Sequence, residues 1–204
     1  MAIDHRPPCT AEEALRRLKD GNARFVGGRA RFHTLQADVL ADLAKGQQPY
    51  ATILGCSDSR VPPELVFDAG FGDLFVIRIA GNVLGPAIAG TLQYAKVHLH
   101  TPLFVVLGHE GCGAVKAAIA SKFHGAEHRS RIATLLENIV PALEGLDPSL
   151  PPEKLLDAAV EANVRLTLRR LLESPEVTAR GLQDGIELAG AIYDLETGRV
   201  RFLE

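Results

Sequence analysis

The amino-acid sequence predicts an α/β fold: a mostly parallel central sheet flanked by helices, with an antiparallel edge strand and an N-terminal helical arm. Three observations lead there. Residues 50–55, 74–79 and 103–107 are short, continuous apolar runs rich in β-branched or large side chains, as buried parallel strands are. Helical patterns separate these runs, and strands that alternate with helices imply a parallel sheet. Near the C-terminus, residues 187–195 and 200–203 flank the turn Glu196-Thr197-Gly198 and read as a closing hairpin whose last strand pairs antiparallel at an edge. The 204 residues fit a single domain, residues 1–204, with enough chain to bury a sizeable core.

Taken in order, Thr10-Ala11-Glu12-Glu13 is a capping box, with Thr10 as N-cap and Glu13 three residues later. It opens a helix with Ala14, Leu15 and Leu18 on one face. This helix forms an arm, residues 1–28, that lies outside the main α/β pattern. A second helix is expected over 34–45, stopped by Gly46. After the first strand, Val61-Pro62-Pro63 can start a short helix, because proline is tolerated in a first turn. The second strand, 74–79, runs into the turn residues Ala80-Gly81-Asn82. Helices follow over 87–98, 113–123, 127–143 and 153–172, the last two joined through Pro148, Pro151 and Pro152. No internal repeat or low-complexity tract interrupts the pattern.

Composition narrows the function classes. Charged residues are 23%, hydrophobic residues 47% and the net charge −3, so nothing argues for nucleic acid or an anionic membrane as partner. Trp is absent and aromatics are 5%, which leaves little for a base-stacking surface. No apolar run is long enough to span a bilayer and residues 1–10 lack an apolar signal core. The three cysteines do not make a disulfide framework, and a cytoplasmic, reducing compartment is expected.

Chemistry concentrates in two segments, each following an apolar run. One is Cys56-Ser57-Asp58-Ser59-Arg60; the other is Gly108-His109-Glu110-Gly111-Cys112-Gly113. His109 and Cys112 form an H-x-x-C pair short enough to chelate one metal, and Cys56 is a third ligand from elsewhere in the chain. Thiolate and imidazole suit zinc, and three protein ligands leave the fourth tetrahedral position open, as catalytic sites do. The segments follow two predicted strands, so they fall at the carboxyl edge of the sheet, where open α/β folds build sites at a switch in strand order.

Asp58 lies two residues from both Cys56 and Arg60, so in an extended loop the three side chains point the same way. Arg60 can clamp the Asp58 carboxylate bidentately. Asp58 can then accept a hydrogen bond from a hydroxide on the metal. Carboxylate oxygen is itself an acceptable zinc ligand, so Asp58 freed from Arg60 can swing onto the metal and close the site; the paired, open form is expected near neutrality and above. The remaining histidines, Glu110 and Cys9 carry no comparable constellation. The glycines of the second segment lack both the spacing and the Lys-Ser/Thr ending of a phosphate loop.

On four stretches the chain resembles the β-class carbonic anhydrases: Gly21-Asn22-Ala23-Arg24-Phe25, Gly55-Cys56-Ser57-Asp58-Ser59-Arg60-Val61-Pro62, Arg78-Ile79-Ala80-Gly81-Asn82 and Gly108-His109-Glu110-Gly111-Cys112-Gly113. The resemblance implies reversible hydration of carbon dioxide to bicarbonate and a proton, with one Zn2+ per chain on Cys56, His109 and Cys112 and with Asp58 and Arg60 as the catalytic pair. It also implies a homodimer or dimer of dimers embraced by the N-terminal arm. Hydrolysis of carbonyl sulfide or carbon disulfide, or a zinc-binding sensor without turnover, are the alternatives. Three departures stand out. Many members have Arg-Asn before the Ala-Gly-Asn turn, and here Ile79 follows Arg78. Asp68-Ala69-Gly70-Phe71-Gly72 lacks the glutamine that one subclass places near the metal. In the other subclass a regulatory bicarbonate pocket uses a Trp, an Arg and a Tyr; Arg78 and Tyr193 match two of these, and Ile53 stands at the Trp position.

Overall fold

The structure is a computed structural model and describes residues 9–31, 37–174 and 186–204. Its elements are α1 (Ala11–Val26), α2 (Ala37–Leu43), β1 (Ala51–Gly55), α3 (Pro63–Val66), β2 (Leu74–Arg78), α4 (Pro86–Tyr94), β3 (Leu103–His109), α5 (Gly113–His124), α6 (Ser130–Leu136), α7 (Pro152–Glu173), β4 (Glu187–Tyr193) and β5 (Val200–Phe202). The five strands form one sheet in the order β2-β1-β3-β4-β5. Pairing is parallel from β2 through β4, and β5 closes antiparallel on β4, as the hairpin pattern predicts.

Every residue of β1 and β3 is buried, which explains why both read as continuous apolar runs rather than alternating ones. Their side chains leave in turn toward two apolar layers. Leu54, Phe104, Val106 and Ile192 join the layer under α5 and α7. Ile53, Val105, Leu107 and Tyr193 join the layer under α1 and α3. β2, at the sheet edge, is only partly buried.

The predicted first helix forms as read: the Thr10 hydroxyl accepts from the Glu13 N–H at 3.1 Å. Ala14 and Leu18 of α1 are fully buried against the chain's own sheet. Burying a leucine this way contributes about 1.5–3 kcal/mol. Asn22 fastens the end of the helix. Its amide donates to the Val66 and Gly198 carbonyls and its oxygen accepts from the Val200 N–H. The start of the expected second helix, 34–36, lies outside the described residues, as do His5 and His33.

Two expectations need correction. The helix expected over 127–143 is broken into α6 and a separate 3₁₀ turn, Val140–Leu143. Pro141 has no N–H to give and its ring collides with the carbonyl four residues back, so the helix stops before it. The strand expected to end at Leu107 runs on to His109, which pairs with Tyr193 of β4. The histidine is therefore the last residue of β3 rather than part of the following loop. No helix among the described residues is long and apolar enough to cross a membrane.

Candidate metal centre

Sheet order brings the two chemical segments together. β1 and β3 are adjacent parallel strands although β2 lies between them in sequence. The chain thus leaves β1 toward one side and β3 toward the other, and the carboxyl ends open a crevice. Cys56 follows β1 directly, His109 ends β3 and Cys112 immediately precedes α5. Gly111 makes that tight turn with φ 65°, a conformation natural to glycine.

The Cys56 and Cys112 sulfurs and a ring nitrogen of His109 lie within 4.8 Å of one another, all on buried residues. His109 Nδ1 is 2.9 Å from the Glu110 carbonyl oxygen, to which it donates in the tautomer that leaves Nε2 as a lone-pair donor. Among the described residues that Nε2 atom is buried without a hydrogen-bond partner. An orphaned imidazole nitrogen facing two thiols is costly as it stands and is what a thiophilic cation needs. The donor set fits zinc.

The two sulfurs are not equivalent. Cys56 is held well below the ordinary thiol range, first by the neighbouring Cys112 thiol, against the opposing effect of burial, and then by His109 and the Gly81 N–H. Cys112 is pushed up, by the same contact and by burial. The Gly81 N–H meets Cys56 Sγ at 3.3 Å.

Asp58 stands beside this cluster, with Oδ2 3.9 Å from His109 Nε2. The Arg60 backbone N–H donates to Asp58 Oδ1 at 3.0 Å, an Asx-type turn that sets the carboxylate locally. The Arg60 guanidinium then grips both oxygens, Nε to Oδ1 at 2.9 Å and a terminal nitrogen to Oδ2 at 2.7 Å. This pairing holds the Asp58 carboxyl far below the usual carboxylate range. Asp58 is thus turned to Arg60, in the open arrangement.

Residues beyond the two segments also touch the site. Arg78 at the end of β2 donates to the Cys56 carbonyl at 3.0 Å and also to the Asp58 carbonyl, bracing the loop from below. Its guanidinium is spent on backbone, and Ile53 is buried in the sheet. Asn163 of α7 reaches the Gly81 carbonyl at 2.8 Å. The sequence signal for Asn163 is a polar residue that, with Thr167, interrupts the apolar stripe of Leu155, Ala159, Val160, Val164 and Leu171. Spacing alone does not say what it faces.

The profile of the carbonic anhydrase family matches residues 51–200. The chain belongs to the carbonic anhydrase family. Carbonic anhydrase 2 of Mycobacterium tuberculosis is 39% identical over 188 residues, covering 91% of this chain and 89% of that one. The carbonic anhydrase of Mycolicibacterium smegmatis is 38% identical over 189 residues, covering 92% and 90%. Among solved structures, the β-carbonic anhydrase CcaA superposes with TM-score 0.72 at 29% identity, covering 93% of this chain and 87% of that one. The β-carbonic anhydrase CafA of Aspergillus fumigatus gives TM-score 0.72 at 27% identity, covering 95% and 90%. The β-class resemblance in the four sequence stretches is therefore borne out in family and fold. Carbonic anhydrases are zinc enzymes, and this one carries a Cys56–His109–Cys112 cluster able to hold a metal.

Proposed function

We propose that this carbonic anhydrase interconverts carbon dioxide and bicarbonate at one zinc held by Cys56, His109 and Cys112, with Asp58 and Arg60 as its catalytic pair. The observation that carries the reading is the buried Nε2 of His109, without a hydrogen-bond partner among the described residues and facing two sulfurs, with an ionised carboxylate 3.9 Å away. Zinc in such a site supplies a Lewis acid that brings the ionisation of a bound water toward neutrality. The protein contributes orientation. Asp58 is an obligate acceptor at neutral pH, because Arg60 keeps it charged. Held by three hydrogen bonds from one residue, it cannot rotate freely, so it fixes the direction of an attacking O–H. His109 is kept in one tautomer by the Glu110 carbonyl.

The chain acts in this reading as a single domain and as a homodimer or a dimer of dimers. Supporting association are Leu65 and Phe71, 64% and 62% exposed on the single chain, and the open edge of β2. The buried face of α1 already covers its own sheet, so any grip on a partner falls to its other faces. A reducing cytoplasm suits two sulfurs this close, which an oxidising compartment would tend to couple.

The test is zinc analysis beside stopped-flow hydration of carbon dioxide. One zinc per chain with turnover is expected, and Asp58→Asn should keep the metal while losing about 10²–10⁴ in rate. Full zinc occupancy without hydration at any pH would overturn the enzymatic reading and favour a sensor.

A further inference from the structure

Gly81 is clamped from two sides inside the protein. Its N–H donates to Cys56 Sγ at 3.3 Å, and its carbonyl accepts from Asn163 Nδ2 at 2.8 Å. One turn further along α7, the Thr167 hydroxyl donates to the next carbonyl, that of Asn82, at 3.4 Å. Asn163 and Thr167 are 1% and 2% exposed, in a stripe that is otherwise apolar.

The clamp matters because of what it holds. Gly81 has φ 69° and ψ 18°, and glycine is the residue whose own sterics restrain these angles least. Substitution cannot supply the missing restraint, since a Cβ here would lie 2.7 Å from Ile139 Cδ1. The turn's own bond, from the Asn82 N–H to the Ile79 carbonyl at 3.0 Å, and the bond that Asn163 makes to the same peptide from outside together set the direction of the Gly81 N–H. Asn163 is an expensive way to provide one: its Oδ1 is buried with no partner among the described residues. Burying an unpaired polar atom costs about 1–3 kcal/mol.

Two thiolate ligands place much negative charge on a metal and weaken it as a Lewis acid. An N–H bonded to one of those sulfurs draws charge back, as groups behind the ligands generally tune a metal site. We propose that Asn163 is a positioning residue for the Cys56 sulfur: by locking Gly81 through its carbonyl, it keeps the Gly81 N–H aimed at Sγ and limits the charge that sulfur gives the metal. This rests on the zinc-site reading above and extends the site to a residue more than fifty positions beyond its last ligand in the chain.

The experiment uses enzyme in which the zinc is exchanged for cobalt or for cadmium-113. In the cobalt protein, Asn163→Leu removes the donor at similar volume. The sulfur-to-metal charge-transfer band should move to longer wavelength, because a sulfur that has lost its N–H donor gives charge to the metal more readily. Thr167→Val, on the same stripe but bonded to a carbonyl that does not serve Cys56, should leave the band in place. In the cadmium protein, wild-type enzyme should show scalar coupling between the metal and the Gly81 amide across the N–H···S bond, a readout that needs no variant to fold. Absence of that coupling, or an Asn163→Leu band equal to wild type, would overturn the proposal. A wild-type protein that takes up neither metal would overturn the zinc-site reading itself.

Discussion

Replacing Gly108 with alanine should destabilise the protein although alanine is the better strand residue. Gly108 lies on β3 directly before His109, beneath α7. A Cβ there would stand 2.6 Å from Val164 Cγ2 and 3.4 Å from Val160 Cγ1. Val164 is fully buried, and its other methyl already lies 3.0 Å from where a Cβ on Gly190 would stand. It is thus wedged over two glycines and, being β-branched, has one comfortable rotamer in a helix. The clash must be relieved by moving α7. Loss of glycine's backbone entropy favours alanine by about 0.5–1 kcal/mol, whereas overpacking a filled core costs about 1–3 kcal/mol. A 2.6 Å approach to a methyl that cannot turn aside puts the overpacking in the upper half of its range, so the second effect wins, with a net loss of roughly 1–2.5 kcal/mol. At this chain length each kcal/mol lowers Tm by about 2–4 °C, so thermal unfolding should drop by roughly 2–10 °C. Val164→Ala alone should cost about 2–3 kcal/mol from lost methyl groups and the cavity they leave. In the double variant the methyl added at position 108 enters that space, so the two losses should fall short of additivity by about 0.5–3 kcal/mol. An unchanged or raised Tm for Gly108→Ala, or strict additivity in the pair, would refute the close approach of α7 to β3.

Cys56→Ser, His109→Ala and Cys112→Ser should each lose zinc and activity together, and metal analysis showing full occupancy in any of them would remove that residue from the ligand set. The Asp68 carboxyl, 1% exposed, is gripped by Arg24 and Arg31. Burial alone would raise its pKa, but the arginines outweigh burial and hold it below the usual value. A depressed carboxyl adds stability that is complete above the unfolded pKa of about 4 and is lost as pH falls through the lower folded value. Urea unfolding below about pH 4 should therefore show a steeper acid loss in wild type than in Asp68→Asn. Gly21→Ala should also destabilise, because the added Cβ would sit 1.9 Å from the Phe67 carbonyl oxygen, a backbone atom that cannot turn aside. A loss of about 2–3 kcal/mol by denaturant titration is expected, against a gain of about 1 kcal/mol if helix propensity alone governed the site.

The amino-acid sequence by itself determined much of the molecule. Continuous apolar runs announced β1 and β3, because strands covered on both faces need no alternation. Thr10 and Glu13 announced the start of α1, because capping is local. Cys56, Asp58, Arg60, His109 and Cys112 were legible because each half of the cluster is encoded within a few residues. Their meeting was expected from the rule that sites gather where strand order switches. Local reading failed at Pro141, whose backbone geometry broke a helix that hydrophobic periodicity had carried through, and at His109, which the pairing with Tyr193 drew into β3. Only the tertiary structure showed Arg78 bracing the Cys56 loop, Asn163 holding Gly81, and glycines at 108 and 190 letting α7 approach closely enough to do so. These contacts join residues tens of positions apart, and nothing in the spacing of either partner encodes the other; they exist because packing α7 onto the sheet puts one buried polar group where another requires it.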